Sequence, residues 1–187
     1  MNLNKTTMAL SIILDKGLSG LITIVTSGIG AFLALRVKEK YDRREQLRTA
    51  DLEEFKKVTS HLSHAVASAL LEQDFLAGVR RSEFYLPLYE LRYEYQDNRT
   101  FVFHDKTLNA HFQTILALTG DFMNTIAELA VREGDELTTR PRAERVYYND
   151  DTRRRHADDA KTLNAKAREL GNRCRAFLDE GKQRLRI

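Results

Sequence analysis

Apolar positions along this chain fall into one uninterrupted stretch and several stretches of helical period. The uninterrupted one comes first. From Gly17 to Leu35 there are 19 consecutive residues without a charge, which as an α-helix span about 28 Å, close to the hydrocarbon thickness of a bilayer. This predicts a transmembrane helix over 17–35. Met8 to Leu14 is also apolar, but Asp15 and Lys16 close it off, and charge at bilayer depth is costly. Residues 1–16 therefore read as a short extracytoplasmic tail with an interfacial turn.

Beyond the span no Gly or Pro occurs between Gly30 and Gly78. The apolar series Val37, Tyr41, Leu52, Phe55, Val58, Leu62, Val66, Ala69 and Leu70 runs through this interval at three-to-four spacing. Either one helix continues from the membrane into the cytosol, or Thr49 or Asp51 caps a separate second helix. An aromatic stretch follows over Ser82 to Asn98, crowded around Pro87, with a turn expected at Asp97 and Asn98. The next helix is expected from near Asp105 to Gly134, with Leu108, Phe112, Ile115, Leu116, Phe122, Ile126 and Leu129 on its buried face and Gly134 as its stop. Asp135 to Asp151 is mostly polar, contains Pro141 and reads as a long loop.

The last helix is expected to begin after Asp150, Asp151 or Thr152. Its stripe of His156, Ala160, Leu163, Ala167, Leu170, Cys174, Phe177 and Leu185 either packs within the chain or pairs with a copy of itself. Strand alternation is confined to Thr100 to Phe103. The expected fold class is all-α: a transmembrane helix followed by a cytoplasmic bundle of about four helices over 36–187.

Charge orients this arrangement. Arg36, Lys38, Lys40, Arg43 and Arg44 follow the span, against Lys5 and Lys16 before it, so the positive-inside tendency places the bulk of the chain in the cytoplasm, at the inner membrane, with the N-terminus outside. A basic run directly behind the apolar stretch is unlike a cleaved signal peptide. The single cysteine, Cys174, excludes an internal disulfide and is expected in the core. The formal net charge of +3 is carried by the C-terminal part, where eleven Lys/Arg face five Asp/Glu from Thr152 onward.

Within the span, Ser19, Thr23, Ser27 and Ala31 line one helical face, with Thr26, Gly30 and Ala34 on a neighbouring stripe. Small residues at this spacing let membrane helices approach closely and imply a homo-oligomer. Alternatively the hydroxyls bond back to their own helix, or line a narrow pore in an assembly. Seven of the sixteen aromatics lie between Phe84 and Phe103. Tyr85, Tyr89 and Tyr93 share a helical face, with Arg81, Arg92 and Arg99 interleaved. This face serves core packing at a helix corner, a surface for a cytosolic protein partner, or base stacking on nucleic acid, the last not favoured. Arg153, Arg154 and Arg155 open the last helix, where the macrodipole disfavours positive charge. Asp150, Asp151, Asp158 and Asp159 compensate them internally, or anionic lipid or RNA does so.

No glycine-rich phosphate loop, Cys/His metal spacing or Ser/His/Asp arrangement occurs. His61 and His64 stand three apart, where two imidazoles share a metal only with further ligands; neither metal nor cofactor is expected. Arg99 and His104 form an Arg-x4-His pattern, in which an arginine grips a phosphate and a histidine shuttles a proton. The pattern resembles that of HEPN ribonucleases. The whole layout, a short outside tail, one span, a basic neck and a small helical domain, resembles the single-span membrane proteins of bacterial phage-defence loci that carry a degenerate HEPN-like domain. That resemblance implies an oligomeric membrane effector that disturbs the bilayer when a cytosolic partner signals. A membrane-tethered ribonuclease using Arg99 and His104, and a plain membrane scaffold, are the alternatives.

Overall fold

A computed structural model describes residues 35–95, 102–142 and 149–187. Of the span expected over 17–35, residues 17–34, with Ser19, Thr23, Ser27, Gly30, Ala31 and Ala34, lie outside the described residues, as does Arg99. Among the described residues no helix is long and apolar enough to cross a membrane. The chain divides into two units, Met1–Leu47 and Arg48–Ile187.

In the first unit residues 35–47 are helical and every one of them is exposed. Leu35, Val37 and Tyr41 stand 61 to 68% open. The helical assignment continues without interruption to residue 61, and this segment is α1 (35–61). Thr49 and Asp51 therefore sit inside a helix and not at the start of a second one.

The second unit is predominantly helical, with a small sheet at one end. After α1 come α2 (His64–Glu72), β1 (Val79–Arg80), α3 (Arg81–Tyr95), α4 (Lys106–Leu129), β2 (Val131–Glu133), β3 (Glu136–Thr138) and α5 (Asp150–Leu185). Ser63 ends α1 and starts α2: its Oγ accepts from the Val66 amide at 3.3 Å, an N-cap that supplies one of the donors a helix start leaves open. Asp105 caps α4 by accepting from Thr107 and Leu108. Asn149 caps α5 through the Thr152 amide at 2.8 Å, one residue before the earliest start expected.

Helix α5, 36 residues long and so about 54 Å, is the spine. It packs on α2 and on α4, while α3 closes the opposite side against the same two helices. The stripe from His156 to Leu185 is buried along its length, so it packs within the chain. Phe55 of α1 meets Phe177 of α5 at 5.4 Å between ring centres, and Phe177 continues into Phe103 and Phe112. A second aromatic group, Phe75, Phe84 and Phe122, joins the turn after α2 to α3 and α4. Phe177, Phe103 and Phe122 are all fully buried, and each such ring contributes about 1.5–3 kcal/mol of transfer free energy.

The three strands correct the all-helical expectation in detail. They form one antiparallel sheet in the order β1-β3-β2, with Val79 opposite Leu137 and Glu133 opposite Glu136. Helix α4 ends at Leu129, five residues before the expected stop. Gly134 instead turns the β2–β3 hairpin with φ +66°, a conformation that glycine adopts without strain. The stretch expected as loop from Asp135 thus contains β3, because Leu137 is buried against the core and the hydroxyls of Thr138 and Thr139 reach Phe75 O and His156 O.

Candidate interaction groove between α3 and α4

Helix α3 has two faces of different character. Phe84, Leu88, Leu91 and Tyr95 recur at four, three and four residues and are buried, which is the spacing of one helical stripe. Pro87 lies inside the helix, so the stretch is a single helix and not the corner expected from Pro87. The tyrosines therefore divide. Tyr95 faces inward, packs edge-on against Phe112 at 5.0 Å and donates its hydroxyl to Glu54 Oε1 at 2.6 Å. Burial and the Glu54 carboxylate hold its phenol far above its ordinary ionisation range. Tyr89 and Tyr93 face outward, 52% and 79% exposed.

Tyr85, Tyr89, Arg92 and Tyr93 line one wall of a groove of about 260 Å³ whose other wall is Met123, Asn124 and Ala127 of α4. Its rigidity follows from the core beneath. Phe84 stacks against Phe122 at 6.0 Å, which fixes the two helices at neighbouring positions directly under the groove. Arg81 lies over the Tyr85 ring, 5.2 Å from its centre, a cation–π contact worth about 0.5–1 kcal/mol at an exposed site. The Arg92 guanidinium crosses α4 at Gly120, where a side chain would meet its Cζ at 3.8 Å. The periodicity of α3 made its own wall legible. The α4 wall was not, although Gly120 in mid-helix, a costly residue there, was a signal of close passage.

The other candidate residues are placed as follows. His104 is exposed in the turn before α4, its backbone amide held by Asp51 Oδ1 at 2.6 Å, with the Asp105 amide on Asp51 Oδ2 at 2.8 Å. Asp51 itself is 4% exposed, and its role as a remote cap was missed because the two groups are more than 50 residues apart. His61 and His64 lie on different helices and turn to different partners. His61 reaches Glu90 and Glu94 at 3.4 and 3.0 Å, and Lys182 Nζ donates to His64 Nε2 at 2.9 Å. No group of three His, Cys, Asp or Glu able to hold a metal occurs among the described residues.

Arg153, Arg154 and Arg155 are exposed on the first turns of α5. Arg153 meets Asp150 at 4.0 Å, and Arg155 borders a recess that also carries Glu128 and Asp159. Cys174 is buried on α5, where desolvation pushes its thiol up to about 12.

Compared with protein-family models, with curated proteins and with solved structures, the chain shows no significant match. The groove alone defines what the site does chemically. It offers phenol rings as flat apolar walls, hydroxyls as donors and acceptors, a flexible thioether and one guanidinium, a set suited to recognition.

Proposed function

We propose that this chain is a membrane-anchored, oligomeric, non-enzymatic effector. Residues 17–35 hold it in the inner membrane and associate through the small-residue face of Ser19, Thr23, Ser27, Gly30, Ala31 and Ala34. The helical bundle lies on the cytoplasmic side and receives a protein partner, and partner binding is passed to the assembled spans, which perturb the bilayer as the resemblance to phage-defence accessory proteins implies.

The observation that carries this reading is the outward tyrosine face of α3. Tyr89 and Tyr93 are large side chains left open on a helix whose other face is fully packed. Tyrosine and arginine together are the residue types on which protein interfaces concentrate binding energy, since each tyrosine covers apolar area and keeps a polar tip. Two further facts support the reading. The five basic residues from Arg36 to Arg44 follow the uncharged stretch directly, and the helix that carries them runs to residue 61 without Gly, Pro or interruption.

Expression in bacteria with a potential-sensitive dye tests the proposal, comparing wild type with Ser27→Leu and Gly30→Leu. Wild type is expected to sediment with membranes, to purify in detergent as a multimer and to depolarise cells. The two leucine variants keep the anchor but lose the multimer and the depolarisation. A monomeric wild-type particle, or depolarisation unchanged in both variants, overturns the proposal.

A further inference from the structure

We infer that the α3–α4 groove takes an acidic segment of a protein partner, with an Asp or Glu carboxylate on Arg92 and an adjacent apolar side chain between the tyrosines and Met123. This rests on the reading of the groove as a protein interface and names the chemistry of its occupant.

The first argument is charge accounting around Arg92, which is half-buried and makes no ion pair or hydrogen bond among the described residues. A guanidinium taken partly out of water is costly unless a hydrogen-bonding anion meets it. Among the described residues, three carboxylates around it are engaged elsewhere. Glu90 and Glu94, two residues to either side, both turn to His61 at 3.4 and 3.0 Å. Asp121, beside Gly120 on the facing helix, pairs with Lys166 of α5. Glu128 borders the separate recess that Arg155 and His156 line. Among the described residues no carboxylate of the chain thus meets the Arg92 guanidinium.

The second argument is shape. The fork of an arginine matches a carboxylate with two parallel hydrogen bonds, and the surrounding walls are aromatic, so the anion arrives beside apolar surface. Met123, 7% exposed, adapts its shape to irregular apolar partners. At about 260 Å³ the groove is below the usual size of a cofactor or small-molecule site and holds one or two side chains. A nucleic-acid strand fits less well. The groove lining supplies one cation, Arg92, which matches a single carboxylate and not the run of successive phosphates that such binding engages.

Selection of random dodecapeptides against the full-length protein in lipid nanodiscs tests this, with winners measured by fluorescence anisotropy on wild type, Arg92→Gln and Tyr89→Ala. Unchanged circular dichroism and membrane insertion of both variants establish that they fold. The expected winners carry Asp or Glu within two positions of an aliphatic or aromatic residue. Arg92→Gln weakens them about tenfold, as loss of a hydrogen bond to a charged group does. Replacing the peptide's acid by its amide weakens them equally, and the two changes together cost no more than either alone. Winners without acids that still fail on Tyr89→Ala overturn the carboxylate and leave the groove as a protein interface. Absence of any peptide dependent on Tyr89, or binding of a labelled oligouridylate that depends on Tyr89 in place of peptide, overturns both.

Discussion

Three glycines show how one residue type is used with opposite consequences along the packing surfaces. A Cβ on Gly181 would stand 2.1 Å from Cε2 of Phe55, and one on Gly171 would stand 3.0 Å from the backbone oxygen of Ala67. At Gly181 the Phe55 ring would have to leave its place against Phe177. Overpacking of this kind costs about 1–3 kcal/mol, which exceeds the roughly 0.5–1 kcal/mol that alanine gains over glycine in a helix. At Gly120 the nearest atom, Arg92 Cζ, is at an ordinary 3.8 Å, so the propensity gain stands alone. Gly181→Ala is thus expected to lower the unfolding midpoint and Gly120→Ala to raise it, read by denaturant titration of the full chain. Asp51 gives a second prediction. Asp51→Ala strands the buried-side amides of His104 and Asp105, and at about 1–3 kcal/mol for each unsatisfied group it is expected to be among the most damaging polar substitutions. Asp51→Asn, which keeps one acceptor, recovers part of the loss. Asp105 gives a dependence on pH. Burial raises its carboxyl, but the Leu108 and Thr107 amides and Arg184 outweigh this and hold it below the ordinary range. Its contribution is therefore complete above the unfolded-chain value of about 4 and is lost as pH falls through the lower folded value. Acid titration of stability is expected to show this limb in wild type, and Asp105→Asn is expected to flatten it.

At the scale of elements, the helices were legible and the polar connections between them were not. The stripe of α5 could be read residue by residue because a helix buried on one side repeats its apolar positions every three or four residues, and His156 to Leu185 do so. The aromatic cluster was harder. Spacing set Tyr85, Tyr89 and Tyr93 on one helical face but did not tell whether that face is open, which is decided by the burial of Phe84, Leu88, Leu91 and Tyr95 on the other stripe. The sheet was illegible for another reason. Val79–Arg80 is too short to show alternation, and Val131–Glu133 follows a helix with no break in polarity, so only the pairing of each with Glu136–Thr138, which sets Val79 opposite the sequence-distant Leu137, makes strands of them. That pairing is held by groups with no local signature. Asn164 of α5 accepts from the Phe75 amide at 3.1 Å, and the Thr139 amide donates to Phe75 O at 3.0 Å. Asn164→Ala leaves the Phe75 amide without its acceptor and is expected to cost about 1–3 kcal/mol, while Asn164→Asp, which preserves an acceptor at the same reach, costs less. Equal loss for both substitutions in thermal unfolding would show that the bond contributes nothing.

At the scale of the whole second unit, three helices of the core meet on α5. Phe55 of α1 rests on it at Gly181 and Phe177, α2 crosses it at Gly171, and α4 reaches it through Phe112. Cys174 lies between these contact points, fully buried. Its thiol is doubly protected from alkylation, by burial and because desolvation holds its ionisation at about 12, whereas the thiolate is the reactive form. Its exposure is expected to require α5 to part from α2 and α4, the helices it packs on. Cys174 should therefore be modified by a maleimide only through global unfolding. Its labelling rate in the full-length protein is expected to rise with denaturant along the same slope that equilibrium unfolding shows, and to fall in step with any stabilising substitution such as Gly120→Ala. A rate with little denaturant dependence would mean that α5 swings out while the rest stays folded. The core would then consist of two separable halves.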